Sequence, residues 1–267
     1  MDTLVLKLAL TPTLIAAATL AQRRFGAVAG GLIVGLPLTS GPVAFFLALD
    51  HGRHFAARSA VGTIAGLAAE TAFCLAYARL APRRGWLECT LAACAAFLLV
   101  TPLLRLLPLA LWPTYAGVLV VLWLGRRAIR AGRVTRVEVA PPWWDLPARM
   151  IVATAFVLAL TAAAGSLGPH LSGILSPFPI YAGVLAAFTH AIEGAEPARQ
   201  LLRGVLSGLF AFATFFAVLG LSLRGLGIAA AFSLAIVAAL LVQGAVVAAS
   251  RAGHGRRRRT ARAPDAG

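Results

Sequence analysis

This sequence is poor in charge, in acid and in cysteine. Of 267 residues only 12% are charged, nine are Asp or Glu, three are Cys, and Lys7 is the single lysine. So little charge excludes a soluble domain of this length, because 60% hydrophobic residues cannot all be hidden in one core. Cys74, Cys89 and Cys94 form an odd set inside apolar runs, which excludes a disulfide framework. There is no HExxH and no CxxC, so no metal site and no cofactor are expected. There is no GxSxG around any serine, and a Ser40–His190 dyad has no motif or aspartate pair behind it, so no enzymatic activity is expected. The strand alternation of a membrane β-barrel is absent as well.

What remains is long apolar sequence, with a mean hydropathy of +0.86. Runs near twenty residues recur, the length that spans a bilayer core. The fold class read from this is all-α: a polytopic transmembrane helix bundle. Nine spans are predicted at 3–22, 26–49, 57–80, 86–107, 109–125, 147–167, 170–193, 197–222 and 226–250. A tight hairpin at Leu107-Pro108 separates the fourth from the fifth. The start, MDTLVLKLALTPTLIAAATLAQRR, has no basic stretch before its apolar run and reads as a first span rather than a cleaved signal.

The net charge of +15 is a topology signal rather than a nucleic-acid footprint, because the arginines cluster at the ends of apolar runs and in the tail. With the N-terminus outside, only Lys7, Arg53, Arg58, Arg105 and Arg224 of the 24 basic residues fall on the outer side. That bias predicts a multi-pass protein of the bacterial inner membrane with its C-terminus in the cytoplasm. The predicted divisions are a first membrane repeat (1–108), a linker helix and cytoplasmic loop (109–146), a second repeat (147–250) and a disordered basic tail (251–267). In the linker, Trp143 and Trp144 suit the interface, and Asp145 before Pro147 reads as a helix start. The expected partners are membrane lipid, a small-molecule substrate and, for association, a second copy of the chain; nucleic acid is not expected.

The two repeats are visible without a gap. The stretch from Phe25 to Gly52 aligns with that from Leu167 to Gly194, and continuing to Leu80 and Ser222 places Gly26, Gly31, Gly41, Gly52, Gly62 and Gly66 on Gly168, Gly173, Gly183, Gly194, Gly204 and Gly208. Pro37 falls on Pro179. The fifth span reverses the parity, so the copies are expected to run in opposite directions through the membrane, as in many secondary transporters.

Each copy also carries a break. GLPLTSGP sets Pro37 and Pro42 within one apolar run, and LSPFPIYAG repeats the device with Pro177 and Pro179. Proline removes a backbone donor, and freed carbonyls in lipid need protein or a wet cavity. Two such breaks at equivalent places point to a midplane substrate site made of Pro37, Thr39, Ser40, Gly41, Pro179, Tyr181 and Gly183. The alternative is a pair of kinks packed dry through glycines.

Two ionisable positions stand out within the apolar runs. Glu70 lies near the middle of the third span, where a charged group costs about 2.5–3.5 kcal/mol. It reads either as a proton carrier or as a neutral acid pinning two helices. His190 and Glu193 share a face near the end of the seventh span and read as a proton relay or as an interfacial pair, with His190 the candidate for coupling.

GILSPFPIYAGVLAAFTHAIEG, with Gly173, Phe178, Pro179 and Gly194, resembles the GlpM-type small bacterial inner-membrane proteins. The first copy has Leu36-Pro37 where this pattern has Phe-Pro. The resemblance implies a fused, tandem version of a small membrane unit and carries no activity with it. The function expected from the sequence is a secondary transporter or exporter of a small molecule, driven by protons through Glu70. The alternative is a non-transporting accessory or scaffold protein of envelope assembly.

Overall fold

The computed structural model describes residues 3–38, 40–106, 110–130, 132, 141–159 and 178–260. These residues are helical throughout, with no strand among them. In chain order the helices are α1 (Thr3–Phe25), α2 (Ala27–Val34), α3 (Ser40–His51), α4 (Arg53–Leu80), α5 (Trp86–Arg105), α6 (Leu111–Ala128), α7 (145–159), α8 (Ile180–Glu193), α9 (Ala195–Ser222) and α10 (Ile228–Thr260).

Two 28-residue helices, α4 and α9, form the centre. In their most apolar windows 56% and 72% of the residues are buried, against 22% in each of α5 and α10, which flank them. The outer helices turn Leu91, Leu99 and Leu103, and Leu234, Leu240 and Leu241, away from the bundle. An apolar surface of that size on helices this long suits lipid, not water.

The central pair runs antiparallel. Ala57, in the second turn of α4, lies beside Gly220 near the end of α9, where an added Cβ would sit 3.4 Å from the Ala57 carbonyl oxygen. Nearer the middle, Thr71 of α4 and Leu206 of α9 both touch Gly125 of α6, which packs on both helices.

Helix boundaries recur at a fixed interval. α4 and α9 begin at residues 53 and 195 and α5 and α10 at 86 and 228, so 142 positions separate each pair. The turn before each central helix is one glycine, Gly52 with φ +83° and Gly194 with φ +96°. An L-residue meets its own carbonyl there, so glycine is what lets two helices join through a single residue.

Four helices among the described residues are long and apolar enough to cross a membrane: Arg53–Leu80, Trp86–Leu104, Ala195–Ser222 and Ile228–Ala249. Nine single crossings are therefore not what these residues carry. The span expected at 26–49 is divided into α2 and α3, of 8 and 12 residues, too short at 1.5 Å per residue to cross a bilayer alone. Gly35 to Leu38 separate them, where Pro37 cannot donate to the helical ladder. The hairpin expected at Leu107-Pro108 lies outside the described residues. α10 continues to Thr260.

Close backbone approach fixes α2 on α9. A Cβ at Gly31 would collide with the Leu201 carbonyl oxygen, and one at Gly35 would lie 2.6 Å from the Gly208 Cα. Gly204 in turn faces the Val28 carbonyl oxygen. Small residues at such a seam let helices approach until van der Waals contact holds them.

Candidate functional site

The first break is built around Pro37. Its carbonyl accepts from Gly41 N–H at 2.9 Å, and Ser40 opens α3. A Cβ on Gly41 would lie 3.5 Å from the Phe215 ring of α9, so the half-helix is packed closely against the core. Thr39 lies outside the described residues. The second break has the same form: Pro179 is the residue before α8, and its carbonyl accepts from Gly183 N–H at 2.9 Å. Gly183 faces Phe73 of α4.

The two breaks share one cavity. Leu36 and Leu38 from the first and Tyr181 from the second line a space of about 20 Å³, together with Leu14, Ile33 and Val34. That holds about one water. The Tyr181 hydroxyl lies 3.1 Å from Thr11 Oγ1 of α1, so the one phenol in this region is held by a hydroxyl partner.

Glu70 is half-buried in α4, and no ion pair reaches it among the described residues. Phe73 and Tyr77 follow it three and seven positions on, which puts all three on one face. That face looks toward α8, because Phe73 meets Gly183 and the Tyr77 hydroxyl lies 3.3 Å from His190 Nδ1. The structure thus brings His190 onto the same side of α4 as Glu70, through Tyr77 rather than by direct contact. Among the described residues His190 and Glu193 have separate hydrogen-bond partners, Tyr77 and Gln22.

A polar cluster that the sequence does not announce sits where α1, α7 and α8 meet. Gln22 Nε2 donates to Thr189 Oγ1 at 2.9 Å and to Glu193 Oε1 at 2.7 Å. Arg149 Nε donates to Asp145 Oδ1 at 2.7 Å, and both side chains are only 1% exposed. Arg23, one-third exposed, reaches the other Asp145 oxygen at 2.9 Å. Arg149 also reaches Thr189 at 3.4 Å and lies over the Phe188 ring. Read from the sequence, Arg23 and Arg149 are topology signals and Asp145 a helix start. The available clue was their spacing: Asp145 and Arg149 are four apart and share a helix face. A buried guanidinium without its carboxylate is strongly unfavourable, so this cluster ties three helix ends together only while it is complete.

No group of three or more potential metal ligands occurs among the described residues. No family model matches the chain, and neither a curated protein nor a solved structure does. The site and the fold therefore carry the functional argument alone. Together they describe a membrane-embedded helical protein with apolar helices and a polar interior at one end of the bundle.

Proposed function

We propose that this protein is a secondary transporter or exporter of a small molecule, built from two inverted copies of one membrane unit and residing in a bacterial inner membrane with its N-terminus outside. The observation that carries the reading is the α4–α9 pair. Leu67 and Leu209 are equivalent at the 142-residue interval, and both are buried near the middle of their helices. Two equal helices that run antiparallel and meet around equivalent midpoints are related by a two-fold axis perpendicular to both. For helices that cross a bilayer, that axis lies in the membrane plane. This is the symmetry of inverted-repeat transporters, whose substrate sites lie near the midplane at the repeat interface. The GlpM-like pattern in the second copy is compatible with the fusion of two small units.

In this reading the breaks at Pro37 and Pro179 are the moving parts, and Glu70 carries the coupling proton. No cation pairs with Glu70 among the described residues, so a proton taken up or released there changes the local charge by one. Tyr77 and His190 extend polar groups from the Glu70 face toward the Gln22–Thr189–Glu193 cluster. The test is uptake into proteoliposomes, screened across substrate classes with and without a pH gradient. Gradient-dependent flux that Glu70→Gln abolishes supports the reading; no flux for any class from folded protein ends it.

A second reading is favoured by one specific observation. The breaks enclose about 20 Å³, too little for a substrate. A scaffold or accessory protein needs no more than this, with Glu70 holding a neighbouring helix or a partner subunit. Glu70→Gln then leaves function intact.

A further inference from the structure

A second cavity, larger than the one at the proline breaks, lies elsewhere in the bundle. It lies at one end of the bundle, where the start of α4, the start of α6 and the end of α9 converge, and it encloses about 670 Å³. Its walls include Arg58, Val61 and Gly62 from α4, Leu111 and Trp112 from α6, and Arg224 just past α9. The volume is in the range of small-molecule sites, about 300–1,000 Å³.

The charge of this cavity is of one sign. Arg58 and Arg224 both border it, no acidic residue does, and neither arginine belongs to an ion pair among the described residues. Other arginines are paired, Arg23 and Arg149 with Asp145, Arg84 with Glu88 and Arg199 with Glu196, and some, such as Arg79 and Arg203, stand outside any ion pair among the described residues; what marks this cavity is two guanidinium groups beside one apolar wall. Guanidinium groups offer planar, forked donors that fit the oxygens of a phosphate. The remaining wall is apolar, and the cavity is far larger than a bare phosphate. Trp112, 61% exposed, has the amphipathic ring that favours a membrane–water boundary.

The cavity also marks a difference between the halves. Gly62 is equivalent to Gly204 at the 142-residue interval. A Cβ on Gly204 would collide with α2, whereas one on Gly62 would meet nothing within 4 Å. One glycine is a packing residue and the other borders open space.

We infer that this cavity binds an amphipathic phosphate, a phosphate ester whose head group lies with Arg58 and Arg224 and whose apolar portion lies along Val61, Leu111 and Trp112. The ligand is either the head group of an anionic membrane lipid or a free alkyl phosphate. Binding is measured without flux, so this inference and the transport reading fail separately.

The test uses the full chain in two arms. In the first, the protein is placed in nanodiscs containing equal phosphatidylglycerol and phosphatidylcholine, and native mass spectrometry counts retained lipid. In the second, hexyl phosphate is titrated in a neutral detergent and the unfolding temperature is followed. Selective retention of phosphatidylglycerol, reduced at least tenfold in Arg58→Gln/Arg224→Gln and unchanged in Arg83→Gln, upholds the inference with lipid as the source. A hexyl phosphate shift that disappears in the same double variant upholds it with a free ester as the source. Gly62→Leu, which fills open space on a helix and leaves both arginines in place, should abolish binding in whichever arm shows it. No preference and no shift, or binding that survives in the double variant or in Gly62→Leu, overturns it.

Discussion

At the residue scale, the decisive groups are few because polar atoms inside a bundle must satisfy one another. Arg149 shows this most clearly. With Asp145 it forms a pair of which both members are 1% exposed. Arg149→Leu should leave Asp145 buried with only the one-third-exposed Arg23 as partner and lower stability by about 3–5 kcal/mol, read as unfolding in detergent by circular dichroism. Thr189→Val, which removes a neutral hydroxyl from the same cluster, should cost about 1–3 kcal/mol. Equal, small effects from both would mean that the cluster is wet and unstrained. Glu70 makes the opposite kind of prediction. With no ion pair to lose among the described residues, Glu70→Gln should leave the unfolding temperature near that of the parent while ending gradient-driven flux. The sequence marked Glu70 because a lone carboxylate in an apolar run is conspicuous. It did not mark Gln22 or Thr189, whose importance comes from helices more than 160 residues apart in the chain meeting at one end.

At the scale of elements, glycines decide which helices touch. Gly31 on α2 and Gly35 just past its end meet Gly204 and Gly208 on α9 backbone to backbone. Gly204→Val should force α2 away and destabilise by about 1–3 kcal/mol or more, the cost of overpacking. Its equivalent, Gly62→Ala, has open space and should be neutral or stabilising by about 1 kcal/mol through helix propensity. Matched thermal melts of the two variants check this, and equal losses would contradict it. Much of this level was legible in advance. The glycine register and the paired prolines marked where helices would be interrupted, and α3 and α8 begin at those interruptions. The length of the pieces was not legible. Hydrophobic run length treats 26–49 as one span, because a proline break leaves apolarity unchanged while dividing the hydrogen-bond ladder. The turns at Gly52 and Gly194 fall where predicted spans end, at 49 and 193, but run length does not show that a single residue makes each turn.

At the scale of the molecule, the arrangement follows from two long helices crossing antiparallel with everything else laid against them. α5 and α10 face outward with leucines, α6 packs on both central helices, and α1, α7 and α8 meet in the polar cluster. The cavity of about 670 Å³ lies at one end only. The breaks meet around one-water space in the middle. A transporter reading requires that middle space to enlarge in another conformation. Cross-linking Leu36 to Tyr181 through paired cysteines should therefore halt flux, and reduction should restore it. Flux that continues while the link is intact would favour a static scaffold.

The central claim is that equivalent points of the two halves face opposite sides of the membrane. Arg83 and Gly225 are equivalent at the 142-residue interval, both exposed in the turns that follow α4 and α9. Cysteine placed at either position can be labelled with an impermeant maleimide, after replacement of Cys74, Cys89 and Cys94. The account predicts that Gly225→Cys reacts in intact cells and that Arg83→Cys reacts only once the membrane is permeabilised. Labelling of both from the same side would contradict it.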